Sequence, residues 1–84
     1  MKILIIDDER SIRNSLKEIL VDEGYDVDLA ENGSQGCAMV DKEKYSVIFC
    51  DIKMPEMDGM EVLDRFNQMG IDAAVVMISG HGDI

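Results

Sequence analysis

Ile3-Leu4-Ile5-Ile6-Asp7-Asp8 and Val47-Ile48-Phe49-Cys50-Asp51 decide how this chain folds. Each is an unbroken apolar run that stops at aspartate. An amphipathic helix would interrupt such a run with polar residues, and a half-exposed strand would alternate. Both runs therefore read as strands buried on two faces, the kind found inside parallel sheets.

Working outward, Ile12, Leu16, Ile19 and Leu20 fall at helical offsets between Ser11 and Glu23, and Gly24 supplies a stop. This is an amphipathic helix with those four residues directed at a core. Val27 and Leu29 alternate with acids, which suggests a strand at a sheet edge. Asn32 is placed to cap a helix running to about Lys44, with Cys37, Met39 and Val40 inward. After Asp51 comes a loop from Ile52 to Asp58. Asp58 and Glu61 then stand at capping-box spacing. The spacing predicts that Met60, Leu63, Phe66 and Met69 face the core before Gly70 closes that helix. Ala74-Val75-Val76-Met77-Ile78 reads as a fourth strand. Strands alternating with helices define an α/β fold, a doubly wound parallel sheet with right-handed crossovers.

The 84 residues make one small domain or part of one. Its net charge of −10 opposes direct binding to nucleic acid or to anionic membrane, since both are polyanions. A hydrophobic fraction of 46% excludes a disordered acidic tail. No apolar run approaches the roughly 20 residues that cross a bilayer, and Met1–Ile6 meets acids too early for a signal peptide. Cys37 and Cys50 form no metal or redox spacing, so the expected compartment is a reducing cytoplasm.

In open parallel sheets, ligands bind beyond the carboxyl ends of the strands, where strand order reverses. Asp7 and Asp8 follow the first strand, Asp51 the third and Ser79 the fourth. If the second strand lies outside the first, these side chains converge on one crevice. Two carboxylates about 5 Å apart repel by about 3 kcal/mol at an effective dielectric of 20. Arg10 and Lys53 could relieve some of this, but a hard divalent cation would relieve more. Magnesium fits, since it takes one or two carboxylates plus waters and shares phosphate oxygens; manganese is the alternative ion. A carboxylate beside such a cation can attack phosphorus, which makes Asp51 a candidate nucleophile and Ser79 a candidate hydrogen-bond donor to the transferred group.

Ile3-Leu4-Ile5-Ile6-Asp7-Asp8-Glu9, Cys50-Asp51-Ile52-Lys53-Met54-Pro55-Glu56-Met57-Asp58-Gly59 and Ile78-Ser79-Gly80-His81 together resemble bacterial response-regulator receiver domains. The ending Ser79-Gly80-His81-Gly82-Asp83-Ile84 is similar to receivers of NtrC-type enhancer-binding transcription activators. The resemblance implies a flavodoxin-like strand order of 2-1-3-4. It makes Asp51 the phosphoacceptor, with magnesium held by Asp7, Asp8, Asp51 and the backbone carbonyl of Lys53. Ser79 takes the place of the family's switch residue. The implied partners are a histidine kinase and, in the full-length protein, a DNA-binding, transcription-activating output module. Self-catalysed phosphotransfer and dephosphorylation follow from the same likeness. The family's sheet continues to a fourth helix, a fifth strand carrying a phosphoryl-pairing lysine, and a fifth helix. Residues 1–84 therefore read as the N-terminal portion of a receiver, truncated before those elements and impaired in that chemistry. Its fourth strand would then be an apolar edge suited to homodimer formation.

Blander readings accompany these. Asp7-Asp8 could serve only as a helix cap, and Ser79-Gly80 only as a turn. Pro55 and Gly59 shape their loop, Pro by fixing φ and Gly by allowing positive φ. His81 reads as an exposed loop residue and Cys50 as a small buried one. Two rival functions stand beside the switch. One is an aspartate-nucleophile phosphatase of the haloacid dehalogenase kind, which would want an aspartate where Glu9 stands. The other is a pseudo-receiver that only binds partners.

Overall fold

The computed structural model describes residues 1–79, so His81 and the rest of the 80–84 stretch lie outside the described residues. The elements run β1 (Lys2–Ile6), α1 (Arg10–Asp22), β2 (Asp26–Ala30), α2 (Gly33–Lys42), β3 (Val47–Asp51), α3 (Gly59–Met69) and β4 (Ala74–Ile78). The strands pair in parallel in the order β2-β1-β3-β4. This is the doubly wound α/β sheet expected from the sequence.

The two apolar runs sit at the sheet's centre. Ile3 to Ile6 of β1 are all buried, as are Ile48 and Cys50 of β3. Alternate side chains serve opposite faces. Leu4, Ile6, Ile48 and Cys50 join Val40, Val62 and Phe66 in one core under α2 and α3. Ile3 and Ile5 join Val27 in a smaller core, against which Leu16 and Leu20 of α1 pack. Gly36 brings α2 close to the sheet, for a Cβ there would press on the end of Ile6.

Helix ends follow their predicted chemistry. Asn32 accepts from the Gln35 backbone N–H at 2.8 Å and Asp58 from the Glu61 backbone N–H at 3.0 Å. Gly24 and Gly70, at φ 93° and 69°, supply the left-handed turns that end α1 and α3.

Two helix faces differ from expectation. Ile19 is 60% exposed. Leu16 and Leu20, at four-residue spacing, are what α1 packs against Ile3, Ile5 and Val27, and Ile19 lies outside that contact. In α3, Val62 is buried with Phe66, while Met60 is 57% and Met69 39% exposed. Gly59 abuts the Asp51 backbone and so fixes the rotation of the helix. Positions three and seven residues on, Val62 and Phe66, then face inward, and Met60 points about 100° away. Leu63 is half-buried.

Candidate functional site

Parallel register places the acids. Ile6 lies opposite Cys50, so the residues that follow, Asp7 and Asp51, emerge side by side at the carboxyl end of the sheet. Asp7 extends the ladder by one bond, its N–H donating to the Ala30 carbonyl at 3.2 Å. Asp51 is opposite Ile78, and the Ile52 N–H donates to the Ile78 carbonyl at 2.9 Å. Asp8 is the first residue beyond the β1 ladder. Asp7, Asp8 and Asp51 each bring one carboxylate oxygen to within 4.8 Å of the others. The convergence expected from the sequence is present for the three acids.

Asp7 and Asp51 are fully buried. The Glu9 N–H donates to Asp7 Oδ1 at 2.8 Å, and the Lys53 N–H donates to Asp51 Oδ1 at 3.3 Å. Arg13 Nη1 reaches back from α1 to the Asp7 backbone carbonyl at 2.8 Å. Asp7 Oδ2, also buried, has no hydrogen-bond partner among the described residues. Burial pushes the Asp7 carboxyl above its ordinary value. The Glu9 N–H opposes this, and the charges of Asp51 and Asp8 add to it. Burial, reinforced by the Asp51 charge, likewise drives the Cys50 thiol up to about 12, so it stays protonated and packs as a small core group.

A buried oxygen without a donor, facing two more carboxylates, is costly unless a cation joins it. The donor set is entirely oxygen, which suits a hard divalent ion such as magnesium. The residues therefore fit the cation that the sequence implied.

Ser79 directly follows Ile78 and is exposed, one residue past the level of Asp51. Lys53, Met54, Pro55 and Asp58, with Ile52, line an open depression of about 690 Å³ along the β3–α3 loop. In this loop the Pro55 carbonyl accepts from the Met57 N–H at 2.8 Å. Gly59 acts differently. Its φ is not positive; Glu56 holds the left-handed position instead, at φ 68°. What Gly59 supplies is absence of a side chain, since a Cβ would strike the Asp51 carbonyl and come 2.7 Å from Met77 Cε. Glu56 escaped the sequence reading, because positive φ at a residue other than glycine is not marked by residue type. Arg13 was also missed, because nothing in helical periodicity marks a side chain that bonds outside its own helix.

Residues 3–84 match the family model described as response regulator receiver domain. The chain is 37% identical over 83 residues to sporulation initiation phosphotransferase F of Bacillus subtilis, covering 99% of this chain and 67% of that protein. It is 32% identical over 79 residues to transcriptional regulatory protein DltR of Streptococcus agalactiae, covering 94% of this chain. It spans only 35% of that regulator's length. Among solved structures it is similar to response regulator protein TrrA of Thermotoga maritima in complex with Mg(2+)-BeF. The TM-score is 0.85 and the identity 36%, over 95% of this chain and 71% of that one.

Proposed function

The chain belongs to the response regulator receiver domain family, and on that premise we propose that Asp51 is the phosphoacceptor of a two-component signalling switch. The observation that carries this reading is the meeting of Asp7, Asp8 and Asp51 within 4.8 Å, at the ends of two adjacent strands.

Asp7, Asp8, Asp51 and the Lys53 backbone carbonyl would hold magnesium. When bound, the ion neutralises negative charge on the acids and on the incoming phosphoryl group. Asp51 supplies the nucleophile: a carboxylate oxygen attacks phosphorus of a kinase phosphohistidine, the P–N bond breaks, and the imidazole leaves with its electron pair and takes a proton. The Lys53 N–H bond to Asp51 Oδ1 orients that carboxylate. Ser79, the residue that follows β4, donates its hydroxyl to the transferred group and couples it to the loop, biasing a two-state equilibrium. Water attack at phosphorus later restores the carboxylate.

The partners in this reading are a histidine kinase and an output module governing transcription, in a cytoplasmic setting. Among the described residues, no helix is long and apolar enough to cross a membrane. The chain spans 67% of the phosphotransferase's length and 71% of TrrA's. A second copy is a further candidate partner, through the outer edge of β4. The narrower likeness to NtrC-type activators draws no support from relatives that are a sporulation phosphotransferase and DltR. The phosphatase alternative leaves Asp51's place among the acids unexplained.

Incubation with acetyl phosphate and magnesium, followed by intact mass measurement, tests the assignment. One phosphoryl adduct should appear on the wild type, and Asp51→Asn should remove it. An undiminished adduct on Asp51→Asn would sink the assignment.

A further inference from the structure

We propose that Arg13 is a positioning residue for the acidic cradle: its guanidinium, bonded to the Asp7 backbone carbonyl, aims the Asp8 carboxylate at the cation. The proposal rests on the magnesium-dependent reading above.

Arg13 stands one turn into α1, its own N–H donating to the Glu9 carbonyl at 3.1 Å. Helical side chains lean toward the N-terminus, so its long arm falls back over the β1–α1 turn. A cation there opposes the helix dipole. No side-chain hydrogen bond from Glu9 caps that end, and no acid sits in the first turn to offset the charge. Helix stability therefore gives no reason for Arg13 to lie where it does.

The bond it makes has a specific consequence. Asp7 is held through its N–H to Ala30 and through Oδ1 to the Glu9 N–H, at 3.2 and 2.8 Å. Arg13 adds a hold on the carbonyl at 2.8 Å. That fixes the plane of the peptide joining Asp7 to Asp8. The sheet ladder sets the directions of Asp7 and Asp51, but Asp8 lies past its end. The orientation of the Asp7–Asp8 peptide decides where the Asp8 carboxylate leaves the backbone, and Arg13 grips that peptide. Groups that orient a metal's ligands in this way govern affinity almost as the ligands do.

Charge and position act with opposite signs, which makes the idea testable. Deleting a positive charge bonded to the Asp7 main chain would by itself strengthen cation binding at the cradle. Loss of positioning weakens it. Magnesium is titrated calorimetrically into wild type, Arg13→Met and Arg13→Lys, with thermal unfolding of each in EDTA as the control on folding. Arg13→Met should bind about tenfold more weakly. Arg13→Lys, whose ammonium can still donate to the Asp7 carbonyl, should recover part of the loss. Unchanged or tighter binding by Arg13→Met overturns the proposal. If Arg13→Met does not fold, Arg13→Gln, uncharged and with a shorter arm, gives the same reading: weaker binding supports positioning and tighter binding overturns it. A wild-type chain that takes up no magnesium sinks the cradle reading itself, and this proposal with it.

Discussion

Asp7 carries the sharpest electrostatic consequence of the site. Its carboxyl is raised above the ordinary 3.8, chiefly by burial. A raised carboxyl holds its proton more firmly in the folded chain than in the unfolded one. Its contribution to stability is therefore present below the unfolded value and lost as pH rises through the folded one. At neutral pH the charged acid strains the fold, and a bound cation removes that strain. Magnesium should accordingly raise the melting temperature clearly at about pH 7.5 and little at about pH 4.5, where protons compete for the same oxygens. Equal stabilisation at both values would contradict this. The acids were legible because aspartate directly after an apolar run is conspicuous. The turn at Glu56 and the reach of Arg13 were not, since each depends on backbone geometry that residue type alone does not display.

At the scale of elements, strand identity was easier to read than helix rotation. Apolar runs left little choice for β1 and β3, and capping residues located the starts of α2 and α3. Rotation failed in α3 because Met60, Leu63 and Phe66 form as regular a stripe as Gly59, Val62 and Phe66. Only the close approach of Gly59 to Asp51 selects between them. The two stripes predict different mutants. Val62→Ala, in a site with no exposed surface, should lower unfolding free energy by about 2 kcal/mol. Met60→Ala, more than half exposed, should change it by less than about 0.5 kcal/mol. Chemical denaturation measures both, and a larger effect at Met60 would mean that α3 is turned the other way.

At the scale of the molecule, the four-stranded sheet of the described residues treats its two outer strands differently. β2 carries Asp26 and Asp28, and Lys2 beside it pairs with Asp28 at 3.7 Å and Glu43 at 3.1 Å. Charges of this kind discourage strand addition. β4 carries none, and Val76 is 41% exposed. The Ala74 N–H and the Ile78 carbonyl bond toward β3. Pleating therefore turns the N–H and carbonyl groups of Val75 and Met77 outward. Antiparallel pairing of two copies about Val76 would join Val75 of each to Met77 of the other. The net charge of −10 opposes this, so salt should favour it. Size-exclusion chromatography with light scattering should show a dimer that grows with ionic strength and disappears in Val76→Lys. A monomer at high concentration in every buffer would exclude the pairing.

The bare backbone at Gly59 also bears on how a signal could leave the site. Its N–H holds the Ile52 carbonyl at 2.8 Å, and its missing side chain lets the helix rest directly on the residue that ends β3. Helix and acid are thus hinged without a cushion between them. A tug on the Asp51 main chain becomes a tilt of α3, and the solvent-facing methionines at its two ends would sweep like the tip of a needle on a dial.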